Sequence, residues 1–294
     1  MAATAEQALK EAKLDADGFH SRSKILQVEV AALKIDRSYQ RELSQRIVDE
    51  ISGDWNEVAS ELILVSNRGN PGTEHGGLYV VNGQHRTMAA RKLKHKKIWA
   101  RVVDLTDLDD PGAVEADLRL KTNSKLADRS PERFKAQLRA GNPESLDIVR
   151  VLDEYGTFIN LVPTKDGNGL NSIAAVEQIY QVDDNGSLLA ETLSALKAAY
   201  GTINHEIANA NSLKAVSWFL QHHAMEANFD KLAESLRALG PAALLMRSNM
   251  RRGSEGGATW TNMYRVLVDL YNDGLIKKHR LTPTVRGVGL HGNK

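Results

Sequence analysis

The sequence predicts an α+β protein in which strands and helices alternate at first and helices alone follow. Two observations support this prediction. Short apolar or alternating runs typical of strands occur at 26–30, 62–65, 78–81 and 98–103, with helical stretches between them. From about residue 126 onward, apolar residues recur only at helical spacing. We therefore expect an N-terminal extension at 1–22, an α+β domain at 23–125, a helical domain at 126–275 and a basic tail at 276–294.

Local patterns define the elements of the first part. Residues 4–13 could form a short polar helix, and 26–30 alternates with period two, as a half-buried strand does. Residues 62–65 form a continuous apolar run, which indicates a buried strand, and a glycine-rich loop at 67–77 leads to the strand at 78–81. A helix between the first two strands is predicted by the spacing of Leu43, Ile47, Val48 and Ile51, with Gly53 at its end.

The second part begins with a clear helix start. Ser130 suits the N-cap and Pro131 the first helical position, while Gly141-Asn142-Pro143 ends that helix. Further helical runs are predicted at 143–155, 173–180, 188–200, 203–224, 229–239 and 260–271.

Composition narrows the classes of function. The 294 residues are 42% hydrophobic and 26% charged with a net charge of +1, which is typical of a soluble globular protein and argues against a global polycation. The absence of cysteine excludes disulfides, thiolate metal sites and thiol nucleophiles. The sequence also lacks a P-loop, a His-Glu-x-x-His motif and a Gly-x-Ser-x-Gly elbow. Since no signal peptide or membrane span is evident, we expect a cytoplasmic protein without a membrane partner.

The chain is organised around a strand, a tight turn and a helix at 78–91. The strand runs into Asn82-Gly83, and an alanine-rich helical stretch follows at once. A helix start offers free N–H groups and a positive dipole end, which suit a phosphate, carboxylate or sulfate. Gln84, His85 and Arg86 lie at that start. Each residue alone has an ordinary explanation as a turn, a packing histidine or a solvated arginine, but together they favour an anion site.

The turn also carries a family resemblance. Asn82-Gly83-Gln84-His85-Arg86, followed by Ala89-Ala90, resembles the signature of the ParB/sulfiredoxin superfamily. ParB proteins have Gly-Glu-Arg-Arg there, sulfiredoxins Gly-Cys-His-Arg, and DndB-like proteins Asp-Gly-Gln-His-Arg. Upstream, Ser38-Tyr39-Gln40-Arg41 resembles the ParB motif in which Gln-Pro-Arg precedes a helix. The resemblance covers residues 25–125, and Gln84 in place of the sulfiredoxin cysteine excludes sulfiredoxin chemistry.

The resemblance implies a mixed sheet flanked by helices, followed by a helical domain, as in the ParB-like proteins of bacteriophages. It implies binding of CTP or ATP in association with double-stranded DNA, in a bacterial or phage-infected cell, with hydrolysis and a homodimer as further expectations. Any hydrolysis is expected to be slow, because Gln84 stands where ParB has a Glu. The catalytic candidates are Gln84, His85 and Arg86. The candidates for nucleotide and phosphate contacts are Arg41, Asn82, Gly83, Gln84, His85, Arg86 and Thr87.

A magnesium ion is the cofactor that the resemblance suggests. In ParB a Glu-Asn pair helps to hold the metal, and the nearest match here is Thr122-Asn123, so Asn123 is the candidate ligand. The charges nearby are segregated, with seven Lys or Arg and no acid at 82–101, then six acids and no Lys or Arg at 102–118. This pattern fits either a solvated helix followed by an acidic loop, or a basic wall facing carboxylates that hold Mg²⁺.

Two alternatives to a nucleotide-binding protein stay open. One is a non-enzymatic, DNA-associated transcriptional regulator of DndB-like type. The other is a ParB-like nuclease, which would need clustered metal-binding carboxylates, and only the acids at 104–117 could supply them.

Contacts to DNA are expected outside the one helix-turn-helix candidate. The helices at 172–200 could form such a motif, but Lys197 is the only basic residue of the second helix, and a reading helix should offer more. Basic groups suited to phosphates occur instead in a Gly/Ser-rich stretch predicted as a loop and in the tail, which could equally be solvated and flexible. These candidates are Arg247, Arg251, Arg252, Lys277, Lys278 and Arg280.

Overall fold

The computed structural model describes residues 21–56, 62–122, 130–162, 167–183 and 185–283. The chain divides into two compact units, 1–145 and 146–294. The helix predicted at 4–13 and the metal candidate Asn123 lie outside the described residues. The domain limits at 22, 125 and 275 stay predictions.

The first unit contains a mixed five-stranded sheet with the order β1-β5-β3-β4-β2. β1 pairs antiparallel with β5 and β3 antiparallel with β4, while β3 and β5, and β2 and β4, are parallel. The expected α+β class with a mixed sheet is confirmed. The strands are β1 (Ser23–Glu29), β2 (Leu33–Lys34), β3 (Ile63–Asn67), β4 (Leu78–Asn82) and β5 (Lys97–Asp104).

Helices cover both faces of this sheet because alternate strand residues point to opposite sides. On one face the buried core includes Val65, Val80 and, from helix α2, Ala90. On the other face Val81 and Val103 pack against Val114 of helix α3. The helices of this unit are α1 (Gln45–Gly53), α2 (Gln84–Lys92), α3 (Pro111–Thr122) and α4 (Ser130–Arg139).

A helix, α5 (Pro143–Glu154), spans the division, and the second unit is predominantly helical. It also contains a two-stranded parallel sheet of β6 (Phe158–Ile159) and β7 (Gly169–Leu170) that the sequence did not predict. Two-residue strands are too short to show periodicity. The further helices are α6 (Ile173–Tyr180), α7 (Ser187–Tyr200), α8 (Ala210–His223), α9 (Phe229–Leu239), α10 (Pro241–Glu255) and α11 (Thr259–Asn272).

Helix α10 corrects one sequence prediction. The stretch around Arg247 was predicted as a Gly/Ser-rich loop, but it is helical from Pro241 to Glu255. Pro241 occupies the first turn, where proline is tolerated, and the Ala, Leu, Met and Arg residues that follow favour a helix. Leu244 and Ser248 are buried, so packing outweighs the low helix propensity of the glycine and serines.

The helix-turn-helix candidate consists of α6 and α7. Helix α7 packs against α6, α8 and α9, and its buried residues include Leu189, Leu193 and Leu196. Its exposed side presents Glu191 and Lys197, which cancel in charge. Helix α7 is therefore a core helix of its unit. No helix within the described part of the chain is long and apolar enough to cross a bilayer.

Candidate phosphate-binding site

Gly83 forms the turn between β4 and α2. Its φ of 101° lies in the left-handed region, which a residue with a side chain rarely adopts. A Cβ at this position would also lie 2.4 Å from Cγ2 of Ile63, so only glycine fits. Helix α2 begins at Gln84 without a side-chain cap. Its first N–H groups have no carbonyl one turn earlier in the helix, so the turn presents donors to an anion.

Gln84 is buried at this helix start. Only 8% of its surface is exposed, and its Oε1 atom makes no hydrogen bond to any described residue. A buried acceptor without a donor is costly, which indicates that a water or a ligand supplies the donor.

His85 joins helix α2 to the segment that precedes α1. Its Nε2 atom accepts a hydrogen bond from the backbone N–H of Ser44 over 3.2 Å, and its Nδ1 atom lies 3.4 Å from Nη2 of Arg41. Because the Ser44 N–H can only donate, we infer that Nε2 carries no proton and that the imidazole is neutral. Burial lowers the pKa of His85 below its ordinary value, and the charge of Arg41 lowers it further.

The structure brings most of the predicted nucleotide-binding residues around this turn. Arg41 lies beside the ring of His85 without a hydrogen bond to it, and Arg86 lies within helix α2 and donates to the carbonyl of Leu62 over 3.4 Å. Asn82 donates to the carbonyl of Thr122 over 3.3 Å, which places the end of α3 beside the turn. Thr87 differs, since its side chain is fully buried and its hydroxyl donates to the carbonyl of Gly83.

Gln40 fixes the segment next to Arg41, and the sequence did not identify it. Its buried side-chain amide donates to the carbonyls of Val80 (2.8 Å) and Val81 (2.9 Å) on β4. The only sequence signal was its position inside the motif at 38–41. Gln40 therefore attaches the segment carrying Arg41 directly to the strand that leads into the turn.

A buried ionic network was also missed by the sequence analysis. Glu115 of α3 is fully buried and accepts hydrogen bonds from the Tyr39 hydroxyl (2.7 Å), from Nε of Arg68 (2.6 Å) and from Ser66. Arg68 also forms an ion pair with Asp36 at 2.8 Å. Burial and the charge of Glu115 raise the pKa of the Tyr39 hydroxyl, which therefore stays protonated and donates. Glu115 appeared in the sequence only as one of six acids.

The acids at 102–118 are divided among separate contacts. Asp107 pairs with Arg22 (2.6 Å), Asp110 with Arg139 (2.6 Å) and Asp117 with Lys121 (2.7 Å). Glu115 and Asp117 lie on helix α3, so this part of the predicted acidic loop is helical. Within the described ranges, no three His, Asp or Glu side chains are grouped so that they could hold a metal ion. The predicted ligand Asn123 lies outside the described residues, so the Mg²⁺ site stays a prediction, and no step below passes through a metal.

Comparison with known proteins gives a limited similarity. Two crystal structures of the C-terminally truncated chromosome-partitioning protein ParB from Caulobacter crescentus are similar to this chain. The complex with CTP-γ-S is 17% identical with a TM-score of 0.29, covering 65% of this chain and 98% of the other. The complex with the centromeric parS site is 14% identical with a TM-score of 0.32, covering 82% of this chain and 98% of the other.

Sequence comparisons add nothing further. No protein-family model matches the chain. No curated protein matches it either. Because the structural scores and identities are low, these comparisons carry no argument, and the function proposed below rests on the residues of this chain and on the motif resemblance at 82–86.

The predicted DNA-binding residues lie in the second unit and differ in their surroundings. Arg251 forms ion pairs with Glu255 (2.8 Å) and Asp269 (2.6 Å), and Arg252 donates to Thr259. Arg247, Lys277 and Lys278 are exposed and form no ion pair within the described part of the chain. Arg280 is exposed, and its Nε donates to the carbonyl of Leu275.

The exposed basic residues share one end of the α10–α11 hairpin. The pairs Arg265–Glu255 and Arg251–Asp269 show that the two helices run antiparallel. Arg247 precedes Arg251 by one helical turn, so it lies near the C-terminal end of the antiparallel helix α11. There Asn272 exchanges two hydrogen bonds with Leu281, at 2.7 and 2.8 Å, which fix the start of the predicted tail. We call Arg247, Lys277, Lys278 and Arg280 the basic end.

Proposed function

We propose that this chain binds a nucleoside triphosphate, CTP or ATP, through its phosphates at the start of helix α2. One observation carries the proposal. The helix begins at a glycine with no side-chain cap, so the N–H groups of Gln84 and His85 have no carbonyl acceptor one turn earlier in the helix and can donate to phosphate oxygens. A helix start of this kind favours an anion through both its donors and its dipole.

The surrounding residues support a phosphate more than a small neutral ligand. The N–H groups of Gln84 and His85 would donate to phosphate oxygens, and Arg86 and Arg41 would add charge-assisted bonds from either side. Asn82 would fix the end of α3 at the mouth of the site. The backbone N–H of Thr87 bonds to Gly83, so we assign Thr87 to the shape of the turn.

We further propose that any hydrolysis is slow. An amide cannot take up a proton at neutral pH, although it can orient a water, and His85 is occupied by Ser44. This same feature favours the alternative of a non-enzymatic DNA-associated regulator, in which ligand binding has no turnover. A nuclease would need clustered carboxylates, whereas the acids at 104–117 are held in separate contacts.

Association with DNA would use the basic end of the second unit. Phosphate contacts require exposed cations, which Arg247, Lys277, Lys278 and Arg280 supply. We leave Arg251 out because its guanidinium is held by two ion pairs, one with Glu255 within α10 and one with Asp269 that joins α10 to α11. Such contacts would be sequence-tolerant, because phosphates carry no base information. A homodimer and a cytoplasmic location stay predictions.

A nucleotide panel tests this function. The full chain is titrated with CTP, ATP, GTP, UTP and inorganic phosphate in a calorimeter, with and without Mg²⁺ and duplex DNA. Thermal unfolding is followed in the same samples, because a ligand that binds only the native state raises Tm. We expect binding of one or more triphosphates. Absence of binding and of any Tm shift under all conditions would contradict the proposal.

A further inference from the structure

We infer that Glu115 and Tyr39 are positioning residues for the phosphate-binding turn. They hold the segment 36–44 in place so that Arg41 and Ser44 meet His85. The inference rests on the proposed function for its ligand, but the contacts that carry it are independent of any ligand. Among the described residues, neither of the two forms a hydrogen bond with residues 82–86.

The segment 36–44 has little regular structure and depends on side chains for its position. Apart from short turns, no strand or helix occurs between Lys34 and Gln45 within the described residues. At its start, Asp36 accepts a hydrogen bond from the N–H of Ser38 and pairs with Arg68. At its end, the N–H of Ser44 binds His85. Between these points Gln40 attaches the segment to β4, and a second anchor holds it to helices α3 and α4.

Tyr39 supplies that anchor from a fully buried position. Its ring packs among Ala113 and Ala116 of α3 and Ala136 of α4. Its hydroxyl donates to Oε2 of Glu115 over 2.7 Å. Because Arg41 is two residues further along the chain, the position of Tyr39 limits where the Arg41 guanidinium can reach.

Glu115 is the common acceptor of this arrangement. Ser66 and Arg68 from the β3 side and Tyr39 from the segment all donate to its two oxygens. Arg68 is held in turn by Asp36 and lies over the ring of Tyr79, 3.7 Å from its centroid. Burial alone would lower the pKa of Arg68, but its contacts with Glu115 and Asp36 outweigh that effect and raise the pKa, so the guanidinium stays charged.

The same helix carries the other wall of the turn. Two helical turns after Glu115, Thr122 accepts hydrogen bonds from Asn82 next to Gly83. Helix α3 therefore links the segment with Arg41 to the far side of the turn. A shift of Glu115 would disturb both walls together, which distinguishes it from an ordinary buried ion pair.

The test uses Tyr39→Phe, which removes the hydroxyl and keeps the buried ring. The matched control is Leu118→Ala, which destabilises the same helix on its sheet-facing side without touching the segment. Amide hydrogen exchange is measured on the full chain, with the Ser44 N–H as the reporter. We expect exchange at 38–44 to rise about tenfold in Tyr39→Phe relative to the rest of the unit, and no selective rise in Leu118→Ala.

Affinities for inorganic phosphate and CTP are measured on the same proteins. We expect Tyr39→Phe to weaken binding about tenfold and Leu118→Ala to leave it unchanged. Unchanged exchange at 38–44 in Tyr39→Phe would overturn the inference. A selective rise in exchange at 38–44 in Tyr39→Phe with unchanged affinity for both ligands would also overturn it. If exchange at 38–44 rises in Tyr39→Phe but the wild-type protein binds neither ligand, the positioning contacts are supported and the proposed function is overturned instead.

Discussion

The backbone N–H of Ser44 donates a hydrogen bond to Nε2 of His85 over 3.2 Å. This contact ties the residue before helix α1 to the first turn of helix α2. It requires an unprotonated Nε2, because a protonated imidazole presents two donors and cannot accept from an N–H. The turn therefore depends on the neutral form of His85, although a histidine beside a phosphate site is often assumed to be cationic.

Acid should destabilise the protein through this histidine. Burial and the charge of Arg41 lower the pKa of His85 from the ordinary 6.5. Between the two values the unfolded chain binds more protons than the folded chain, so the free energy of unfolding falls as pH falls. The contribution is fully present above pH 6.5 and is lost as pH drops through the folded-state pKa. Urea unfolding at a series of pH values measures this slope.

A variant tests whether His85 causes this dependence of the free energy of unfolding on pH. His85→Gln should reduce the loss of stability below neutral pH, because glutamine does not titrate. His223 should contribute as well, since burial lowers its pKa and its Nε2 lies 2.8 Å from the Tyr264 hydroxyl. A slope that is the same in wild type and in the double variant of both histidines would show that other groups are responsible.

Gly83→Ala should be strongly destabilising. The substitution places a Cβ at a φ of 101° and 2.4 Å from a side-chain carbon of Ile63. The backbone strain alone is on the order of 1–3 kcal/mol. Gly53→Ala at the end of α1 is the matched control, because nothing lies within 4 Å of its added Cβ. Equal denaturation midpoints for the two variants would rule out this account of the turn.

Glu115→Gln should cost more stability than any exposed ion pair. It leaves the Arg68 charge buried with one fewer partner, and breaking a buried pair typically costs about 3–5 kcal/mol. Asp107→Asn is the comparison, since the half-exposed pair with Arg22 is worth about 0–1 kcal/mol after solvent screening. Denaturant titration measures both. Similar losses for the two variants would contradict the central place given to Glu115.

Binding to DNA should be weak and sensitive to salt. Each phosphate contact adds about 0.9 to the slope of log affinity against log salt, so replacing Arg247 or Lys277 by Ala should lower that slope by about this amount. Arg251→Ala is the control, because its guanidinium is held by Glu255 and Asp269. Anisotropy titrations of several duplexes at two or more salt concentrations measure the effect. Tight, salt-insensitive binding to a single sequence would point to base reading instead.

The sequence predicted the turn and four of the five strands of the sheet, because these depend on local patterns, but it did not predict the two-residue β2. The strand at 78–82, Gly83 and the helix from Gln84 follow from apolar runs and one Asn-Gly signal. The network around Glu115 could not be predicted, since it joins residues up to 76 positions apart in the chain. Nothing in the sequence distinguishes Glu115 from the five acids near it until the fold buries it.

Helix α10 is a case in which the local sequence pattern predicted the wrong structure. Its serines and glycine suggested a loop, but packing of Leu244 and Ser248 against the rest of the unit decides the structure. The pairing of Arg251 was equally hidden, because Asp269 comes from the next helix. Sequence alone therefore could not separate the paired basic residues from the exposed ones.

The most direct test of the account is the affinity of Arg86→Ala for its nucleotide, measured by calorimetry beside wild type. A charge-assisted phosphate contact is worth about 1.5–3 kcal/mol, so the variant should bind roughly ten- to a hundredfold more weakly. Lys92→Ala removes one positive charge from the exposed far end of the same helix, where Lys92 pairs with Asp49, and should bind like wild type. Equal affinity of Arg86→Ala and wild type would contradict phosphate binding at the start of helix α2.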